Sequence, residues 1–270
     1  MALNFSPISM IRGPIRSAAG YGKRRSQWFF RKLYFHAIYG MNYASPDHRA
    51  NGELAAMRYV RDRVGRGDAV LFDVGANVGD YSLELRQCFG PAARIFAFEP
   101  APTTYAQLQQ TAASLAPMRT FNFGLSKAAA TCELFTPAAG ATIASVYQMR
   151  ADHPWATRAT EPIELRTLDE ACAAEGIEAI DFLKIDVEGA EIDVLQGGRS
   201  MLDRGAVHFI QFEFGFRQVD SRTFFRDFFD LLGKQYRISR IVADGLCPLP
   251  KYGEELEVFY GVSNYLAERR

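Results

Sequence analysis

The stretch at residues 70–82 reads VLFDVGANVGDYS. An apolar run ends at an acid, Asp73, and small residues then follow at Gly75, Ala76 and Gly79. The apolar run is typical of a buried strand, and helical spacing of apolar residues resumes directly after the turn. A strand, a glycine turn and a helix form the first half of a βαβ unit. Its turn lets a ligand approach the backbone at the helix N-terminus.

The same alternation of strands and helices continues along the chain. Strands are predicted at 69–72, 94–98, 120–123, 180–185, 207–212, 236–242 and 257–262, and helices at 52–64, 81–89, 102–115, 168–175, 190–202 and 223–232. Residues 126–162 are less regular and predict a strand or hairpin with an exposed insertion. This pattern predicts a parallel sheet with helices on both faces. The last two strands have no helix between them, so we expect them to pair antiparallel at an edge.

Composition limits the function classes. The chain has 270 residues, 48% of them hydrophobic, which is enough for one large domain with a core. The formal net charge is zero, so the electrostatic footprint of a nucleic-acid-binding protein is absent. The four cysteines and four histidines are scattered, which predicts no zinc site and a reducing, cytoplasmic location. No secretory signal is expected, and no apolar run is long enough to span a bilayer.

Positive charge is concentrated in the first 50 residues. Eight basic residues stand there against the single acid Asp47, with aromatic residues interleaved between them. The domain organisation predicted is therefore a basic, aromatic helical segment at 1–51 and a single domain at 52–270. One interpretation of the segment is peripheral contact with anionic lipid at the inner face of a membrane. The other, which we favour, is a helix whose aromatic face packs on protein while its basic face is solvated.

Acidic residues mark the carboxyl ends of the predicted strands, where open α/β sheets bind their ligands. Asp73 follows the first strand, Glu99 the second, Asp186 and Glu188 the fourth, and Glu213 the fifth. A carboxylate at Glu99 suits both hydroxyls of an adenosine ribose, in NAD or in S-adenosylmethionine.

The first turn separates these two cofactors. Its spacing, D-x-G-x-x-x-G with Asn77 inside, lacks the GxGxxG that a pyrophosphate requires. An acidic rim repels a pyrophosphate and attracts an ammonium or sulfonium, which favours S-adenosylmethionine. The alternative interpretations are local: the glycines could serve tight packing, Asp73 a cap, and Glu99 a solvated loop.

A second unusual stretch, DFLKIDVEGAE at residues 181–191, places Lys184 inside an apolar strand. A buried ammonium needs a partner, and Asp186 and Glu213 are the candidates. Lys184 is either a positioned group at the reaction centre or half of a structural ion pair, and the sequence does not separate the two. Glu191 is better interpreted as a first-turn acid that complements the helix dipole. Three clustered acids could also hold a divalent cation.

The motifs FDVGANVGDYS, FAFEP, TLDE, DFLKIDVEGAEIDVLQGG and FIQFEF together resemble the FkbM-type S-adenosylmethionine-dependent methyltransferases, over residues 39–267. The resemblance implies a Rossmann-like fold with a seven-stranded sheet and an antiparallel last strand. It also implies methyl transfer to a hydroxyl oxygen of a sugar, glycolipid or natural product. The loop with Asp73, Gly75, Asn77 and Gly79 is then the methionine side, and Glu99 holds the ribose. Residues 124–126, beginning at Gly124, line the adenine.

These observations lead to one expected mechanism. Asp186, Glu188 or Glu213 accepts the hydroxyl proton, with Asp186 the first choice and no metal assigned. The acceptor is a small molecule or a glycan-linked or lipid-linked hydroxyl. Two alternatives stay open: an NAD-dependent sugar oxidoreductase, and a catalytically silent S-adenosylmethionine-binding module. A hydrolase is not expected, because no GxSxG nucleophile elbow is present.

Overall fold

The computed structural model describes residues 20–43, 51–115, 117–137, 143–154 and 156–270. The chain divides into two compact units, Met1–Met41 and Asn42–Arg270. The described part of the first unit consists mainly of helix α1 (Gln27–Gly40). Within the described residues, no helix combines the length and apolarity needed to cross a bilayer. The sequence boundary at residues 51/52 stays a prediction.

The second unit is an alternating α/β structure. Its helices are α2 (Glu53–Val64), α3 (Asp80–Phe89), α4 (Pro102–Ala113), α5 (Leu168–Glu175), α6 (Glu191–Gly197), α7 (Arg199–Asp203), α8 (Gln218–Ser221) and α9 (Phe225–Leu232). Its strands are β1 (Val70–Val74), β2 (Arg94–Phe98), β3 (Met118–Phe121), β4 (Gly124–Leu125), β5 (Ala130–Thr136), β6 (Ala159–Arg166), β7 (Ile180–Ile185), β8 (Val207–Gly215), β9 (Tyr236–Val242), β10 (Gly245–Leu249) and β11 (Val262–Arg269).

Eight strands form the main sheet in the order β10-β9-β11-β8-β7-β1-β2-β3. The five strands from β8 to β3 are parallel, and β11 is antiparallel to both of its neighbours, β8 and β9. The order reverses at β1 and β7, which creates the crevice where such sheets bind ligands. The Rossmann-like fold class predicted from the sequence is therefore confirmed.

Both faces of this sheet are covered, which explains why its central strands are apolar throughout. One face packs Leu71, Phe182 and neighbouring side chains against α2 and α3. The other packs Phe72, Ile185 and Phe212 against α5, α6, α7 and α9. On that second face, the rings of Phe212 and Phe228 stack in parallel with their centroids 4.5 Å apart.

The irregular region at 126–162 contributes a second, three-stranded sheet in the order β4-β6-β5. The predicted hairpin is present, because β5 and β6 pair antiparallel over their whole length. The predicted third strand at 120–123 lies earlier in the chain, at Met118–Phe121, and Gly124–Leu125 crosses into the small sheet. Residues 138–142 and 155 of the predicted insertion lie outside the described residues.

Two predicted helices needed correction. The helix expected at 190–202 is divided at Gly198, because α6 and α7 meet there. A Cβ on Gly197 would lie 2.0 Å from the Ser126 carbonyl oxygen, so this glycine lets the segment approach the small sheet. The helix expected at 223–232 begins at Phe225, which leaves Phe224 54% exposed rather than in the core.

The end of the chain differs most from the sequence prediction. The strand expected at 257–262 lies instead at Val262–Arg269, and it inserts between β8 and β9 rather than at an edge. The edge is an additional eighth strand, β10, which pairs with β9 as a hairpin. Its sequence, GLCPL, contains a proline and lacks alternation, so periodicity did not reveal it.

The stacked ring of Phe228 tests this packing. Phe228 is fully buried, so Phe228→Ala should lower the free energy of unfolding by about 3–5 kcal/mol through lost contacts and a cavity. The matched control Phe224→Ala removes a half-exposed ring and should cost less than about 1 kcal/mol. Denaturant unfolding curves measure the free energy of unfolding of both variants. Equal losses would contradict the assignment of Phe228 to the core and of Phe224 to the surface.

Candidate active site

The turn after β1 is built around one steric contact. Gly75 has a φ of +78°, and a Cβ there would lie 1.8 Å from the carbonyl oxygen of Asp186. The backbone N–H groups of Gly75 and Ala76 both donate to the Phe98 carbonyl at 3.0 Å, which fixes the turn over the end of β2. Gly79 packs its bare Cα against Thr111 and Leu108 of α4. The local interpretation of these glycines, tight packing, therefore applies together with any ligand role.

Lys184 lies at the centre of the sheet with two carboxylate partners. Its Nζ lies 3.5 Å from Asp73 Oδ1 and 3.3 Å from Asp186 Oδ2, and 4.8 Å from the centre of the Tyr81 ring. Burial alone would lower the pKa of this ammonium, but Asp186 and Asp73 outweigh burial and raise the pKa above its usual value. Asp186 was a predicted partner, whereas Asp73 was not. Glu213 acts on Lys184 only as a more distant charge.

A cavity of about 580 Å³ opens at the carboxyl ends of β1, β2, β7 and β8. It is lined by all of the predicted site residues except Asp73 and Gly79: Gly75, Ala76, Asn77, Glu99, Gly124, Asp186, Glu188 and Glu213. Asp73 does not reach the cavity. It is fully buried beneath the turn, where it accepts a 2.6 Å hydrogen bond from the Ser82 hydroxyl and pairs with Lys184.

Glu99 is fixed at the end of β2 by two backbone donors. Its Oε2 accepts from the Asn77 N–H at 3.0 Å, and its Oε1 accepts from the Ala101 N–H at 2.9 Å. Burial nevertheless raises the pKa of Glu99 to about 7, against the lowering effect of both amides. The carboxyl group is therefore oriented, lines the cavity, and changes its charge near neutral pH.

The end of the cavity beyond Glu99 is apolar. Side chains of the small sheet and of the segment between β5 and β6 form this end: Leu134, Ile143, Val146, Ile163 and Leu165. A Cβ on Gly124 would lie 2.8 Å from Leu165, so the absence of a side chain there lets Leu165 pack closely against the strand. An aromatic base suits such a chamber, because it buries apolar surface on both faces.

Glu188 and Glu191 are both engaged with protein groups. Glu188 has a φ of +55° and accepts from Arg217 Nε at 3.0 Å, and burial followed by the charge of Asp186 raises its pKa to about 8. Glu191 is fully buried and accepts from the N–H groups of Val187 and Gly189. Glu191 therefore fixes the conformation of the loop after β7. This role adds to the one predicted from the sequence, an acid in the first turn of a helix.

Glu213 lies inside β8, which runs on to Gly215, and not at the strand end as predicted. Burial, followed by Asp186 and Glu188, raises the pKa of Glu213 well above its usual value. The Asn264 side-chain amide donates to Glu213 at 3.3 Å and to a second buried carboxyl, Glu53, at 3.1 Å. The protonated form of Glu213 is favoured in this environment.

Three residues that line the cavity were not found from the sequence: Asn51, Glu53 and Asn264. Glu53 and Asn51 precede the first motif, and Asn264 lies on the strand whose position was wrong. A signal was available in FIQFEF and VSNYLA, where the polar residues Gln211 and Asn264 interrupt apolar strands. As regards a divalent cation, the described residues contain no group of three or more ligand side chains placed to hold one.

Known proteins with similar sequences are methyltransferases of one family. The model of the methyltransferase FkbM domain matches residues 73–238. The chain is 29% identical over 174 residues to the 2-O-methyltransferase NoeI of Sinorhizobium fredii, covering 60% of this chain and 70% of NoeI.

Two further relatives are matched over a smaller share of their length. The hexuronic acid methyltransferase AglP of Haloferax volcanii is 28% identical over 164 residues, with 59% and 61% of the two chains covered. The 31-O-demethyl-FK506 methyltransferase FkbM of Streptomyces tacrolimicus is 33% identical over 154 residues, with 47% and 58% covered. The chain thus spans about three fifths of these two relatives.

The titration of Glu99 gives a testable pH dependence. Ribose hydroxyl groups donate hydrogen bonds, so they bind the ionised carboxylate better than the protonated group. With a pKa of about 7, Glu99 loses its charge as the pH falls from 8 to 6. The affinity for S-adenosylhomocysteine should therefore fall by up to about tenfold over this range.

The control is Glu99→Gln, which should bind the same ligand about tenfold more weakly at pH 8 and show little change between pH 8 and 6. Titration calorimetry at each pH measures both proteins. An equal pH dependence in the two proteins would assign the titration to another group.

Proposed function

The chain belongs to the FkbM methyltransferase family and uses S-adenosylmethionine as its cofactor, and we propose that it methylates a hydroxyl oxygen of a sugar, glycolipid or natural product. Two of the relatives support oxygen as the methylated atom, because their names specify a 2-O and a 31-O position. The names of the relatives also support small-molecule acceptors, since they include a hexuronic acid and FK506. Family membership favours methyl transfer over the NAD-dependent alternative.

The cavity suits this cofactor. Glu99 would bind the ribose hydroxyls, the apolar end with Gly124 would take the adenine, and the backbone of Gly75, Ala76 and Asn77 would lie along the methionine side. When bound, the cofactor supplies an electrophilic methyl group on a sulfonium. Asp73 and Gly79 contribute indirectly, because they shape the turn without reaching the cavity.

The proposal that Asp186 is the general base rests on its position in the cavity. Its side chain is 33% exposed, against 22% for Glu188, and it lines the cavity between Glu99 and Glu213 in the strand order. Lys184 holds one of its oxygens, which orients the other toward the cavity for proton transfer. Asp186 would therefore accept the proton of the acceptor's hydroxyl group.

The other two carboxyl groups take supporting roles. Arg217 engages Glu188, which keeps it beside Asp186 as a positioning residue. Glu213, in its favoured protonated form, is a hydrogen-bond partner for the acceptor and not the base. This division assigns one role to each of the three carboxyl groups predicted from the sequence.

Asp186→Asn tests the mechanism against the binding-module alternative. The variant should lose at least about 100-fold in transfer rate, because general-base catalysis contributes a factor of this order. Its thermal stabilisation by S-adenosylhomocysteine should be retained. Transfer is measured with isotope-labelled S-adenosylmethionine and a metabolite extract, and methylated products are identified by mass spectrometry.

The control for this experiment is Asp203→Asn, the same change at an exposed residue that pairs with Arg199 on the surface. Wild-type rates in Asp186→Asn would refute the assignment of the base. Stabilisation by NAD and not by the adenosyl ligands would refute the cofactor assignment.

We also propose a cytoplasmic location with peripheral contact to an anionic membrane surface. The four cysteines are free thiols, which supports a reducing compartment. Helix α1 carries exposed Trp28, Phe29 and Tyr34 beside Arg31 and Lys32, and residues 20–43 contain no acid. Exposed aromatic and basic side chains on one short helix suit a headgroup surface.

Vesicle sedimentation tests this proposal. The protein should bind vesicles that contain about 30–40% of the anionic lipid phosphatidylglycerol. It should release them when added salt screens the electrostatic attraction. Arg31→Ser with Lys32→Ser should weaken binding several-fold, whereas the same pair of changes at Arg199 and Arg226 should not. Equal binding to neutral phosphatidylcholine vesicles would contradict an electrostatic contact.

A further inference from the structure

One wall of the cavity is formed by residues on both sides of the family match, which ends at residue 238. Asn51 and Glu53 lie at the start of α2, and Asn264 lies on β11. Together with Glu213 they line the part of the cavity over β8 and β11. We call these four residues the polar wall. The proposed mechanism uses only Glu213 from this set.

Glu53 is the most constrained member of the polar wall. It is 7% exposed, and its Oε1 accepts from Asn51 Nδ2 at 2.6 Å and from Asn264 Nδ2 at 3.1 Å. Its Oε2 accepts from Gln211 Nε2 at 2.9 Å. A carboxyl group with two oxygens has about four acceptor positions, so one position is left for a group in the cavity.

Amide side chains connect the members of the wall. Asn264 donates both to Glu53 and to Glu213, so the two carboxyl groups lie side by side on the cavity surface. The Gln211 amide is oriented from behind, because its Oε1 accepts a 2.9 Å bond from the Tyr81 hydroxyl. Such a network holds its hydrogen-bonding groups in place before a ligand arrives, which lowers the entropy cost of binding.

The strand order places the polar wall on the acceptor side. Glu99 follows β2, whereas Glu213 and Asn264 lie on β8 and β11, with β1 and β7 between them. Asp186 follows β7 and so stands between the two regions. A cofactor bound with its ribose at Glu99 would therefore leave the side of the cavity at Asp186 and the polar wall for the acceptor.

The charge of this region disfavours an anion. Glu53, Asp186 and Glu213 line it as neighbouring carboxyl groups, which offer a bound anion no opposite charge. Among the described residues that line the cavity, Lys184 is the cation, and it is already paired with Asp73 and Asp186. A uronate carboxylate would therefore lose its hydration here without gaining a charged partner, which is costly.

We propose that Glu53 and Glu213 bind hydroxyl groups of the acceptor next to the one that is methylated, and that the acceptor is therefore a neutral polyhydroxylated ring and not a uronate. This inference rests on the proposed function, because it names the acceptor class of the same site. Carboxyl and carboxamide groups in a fixed array suit several adjacent hydroxyls, since each accepts or donates a hydrogen bond. Glu53 is a specificity residue that touches the acceptor.

Saturation-transfer NMR on the full chain with saturating S-adenosylhomocysteine tests the inference. The probes are methyl α-D-glucopyranoside and methyl α-D-galactopyranoside, each compared with its uronate, which differs only by a carboxylate in place of CH₂OH. We expect transfer to at least one neutral glycoside and at least about fivefold weaker transfer to the matching uronate, an order-of-magnitude figure for one carboxylate left without a charged partner.

Variants locate the effect. Glu53→Gln should reduce saturation transfer to the neutral glycoside several-fold. The difference in transfer between this glycoside and its uronate should become smaller. The affinity for S-adenosylhomocysteine should stay unchanged within about twofold. Glu170→Gln is the matched control, because it lies at the surface capping box of α5, where Gln also serves. Glu213→Gln is the second variant. It keeps the shape of the side chain and should also reduce transfer to the neutral glycoside several-fold, so it tests the polar wall even where Glu53→Gln fails to fold.

The outcomes of these experiments separate a failure of the inference from a failure of the proposed function. Equal or stronger transfer to the uronates would overturn the inference, and so would the absence of transfer to every glycoside from a protein that binds S-adenosylhomocysteine. Loss of S-adenosylhomocysteine binding in Glu53→Gln would assign Glu53 to the cofactor and also overturn it. A wild-type protein that does not bind S-adenosylhomocysteine would instead refute the proposed function.

Discussion

The structure depends on a buried ammonium group. Lys184 stands near the carboxyl end of β7, and it is stable there only because carboxylates from β1 and from the loop after β7 lie within 3.5 Å of its Nζ. Tyr81 of α3 covers the same group with its ring. One side chain thus connects two central strands, the helix that follows the glycine turn, and the acid that faces the cavity. The carboxylate that we propose as the base and the core are therefore positioned by the same ion pairs.

The cavity combines two environments that would conflict if they were mixed. Toward β2 and the small sheet it is apolar, with a single carboxyl group held by backbone amides. Toward β8 and β11 it is polar and acidic, and the pKa values of its buried carboxyl groups are raised. A cofactor with an uncharged nucleoside and a cationic sulfonium matches this division, because its positive charge comes to lie at the acidic part.

The sequence predicted the parts of the molecule that local patterns determine. Apolar runs located β2, β7 and β9 to the residue, and strand-end acids located Glu99 and Asp186, because parallel strands bring their carboxyl ends to one edge. Long-range pairing was not accessible in this way. The insertion of β11 between β8 and β9, and the meeting of Glu53 with Asn264 across 211 positions, depend on tertiary packing. The contact between Asp73 and Lys184 was missed for the same reason.

The position of β11 has a consequence for how the protein is made. It is the last described strand in the chain, yet it occupies the interior of the sheet and joins β8 to the hairpin of β9 and β10. During synthesis, β8 must therefore keep an open edge until residues 262–269 have left the ribosome, and Glu53 lacks one of its amide partners for the same interval. An open hydrophobic edge promotes wrong pairing, so this stage is the one most exposed to aggregation. Completion of the polar wall and closure of the sheet become a single late event in folding.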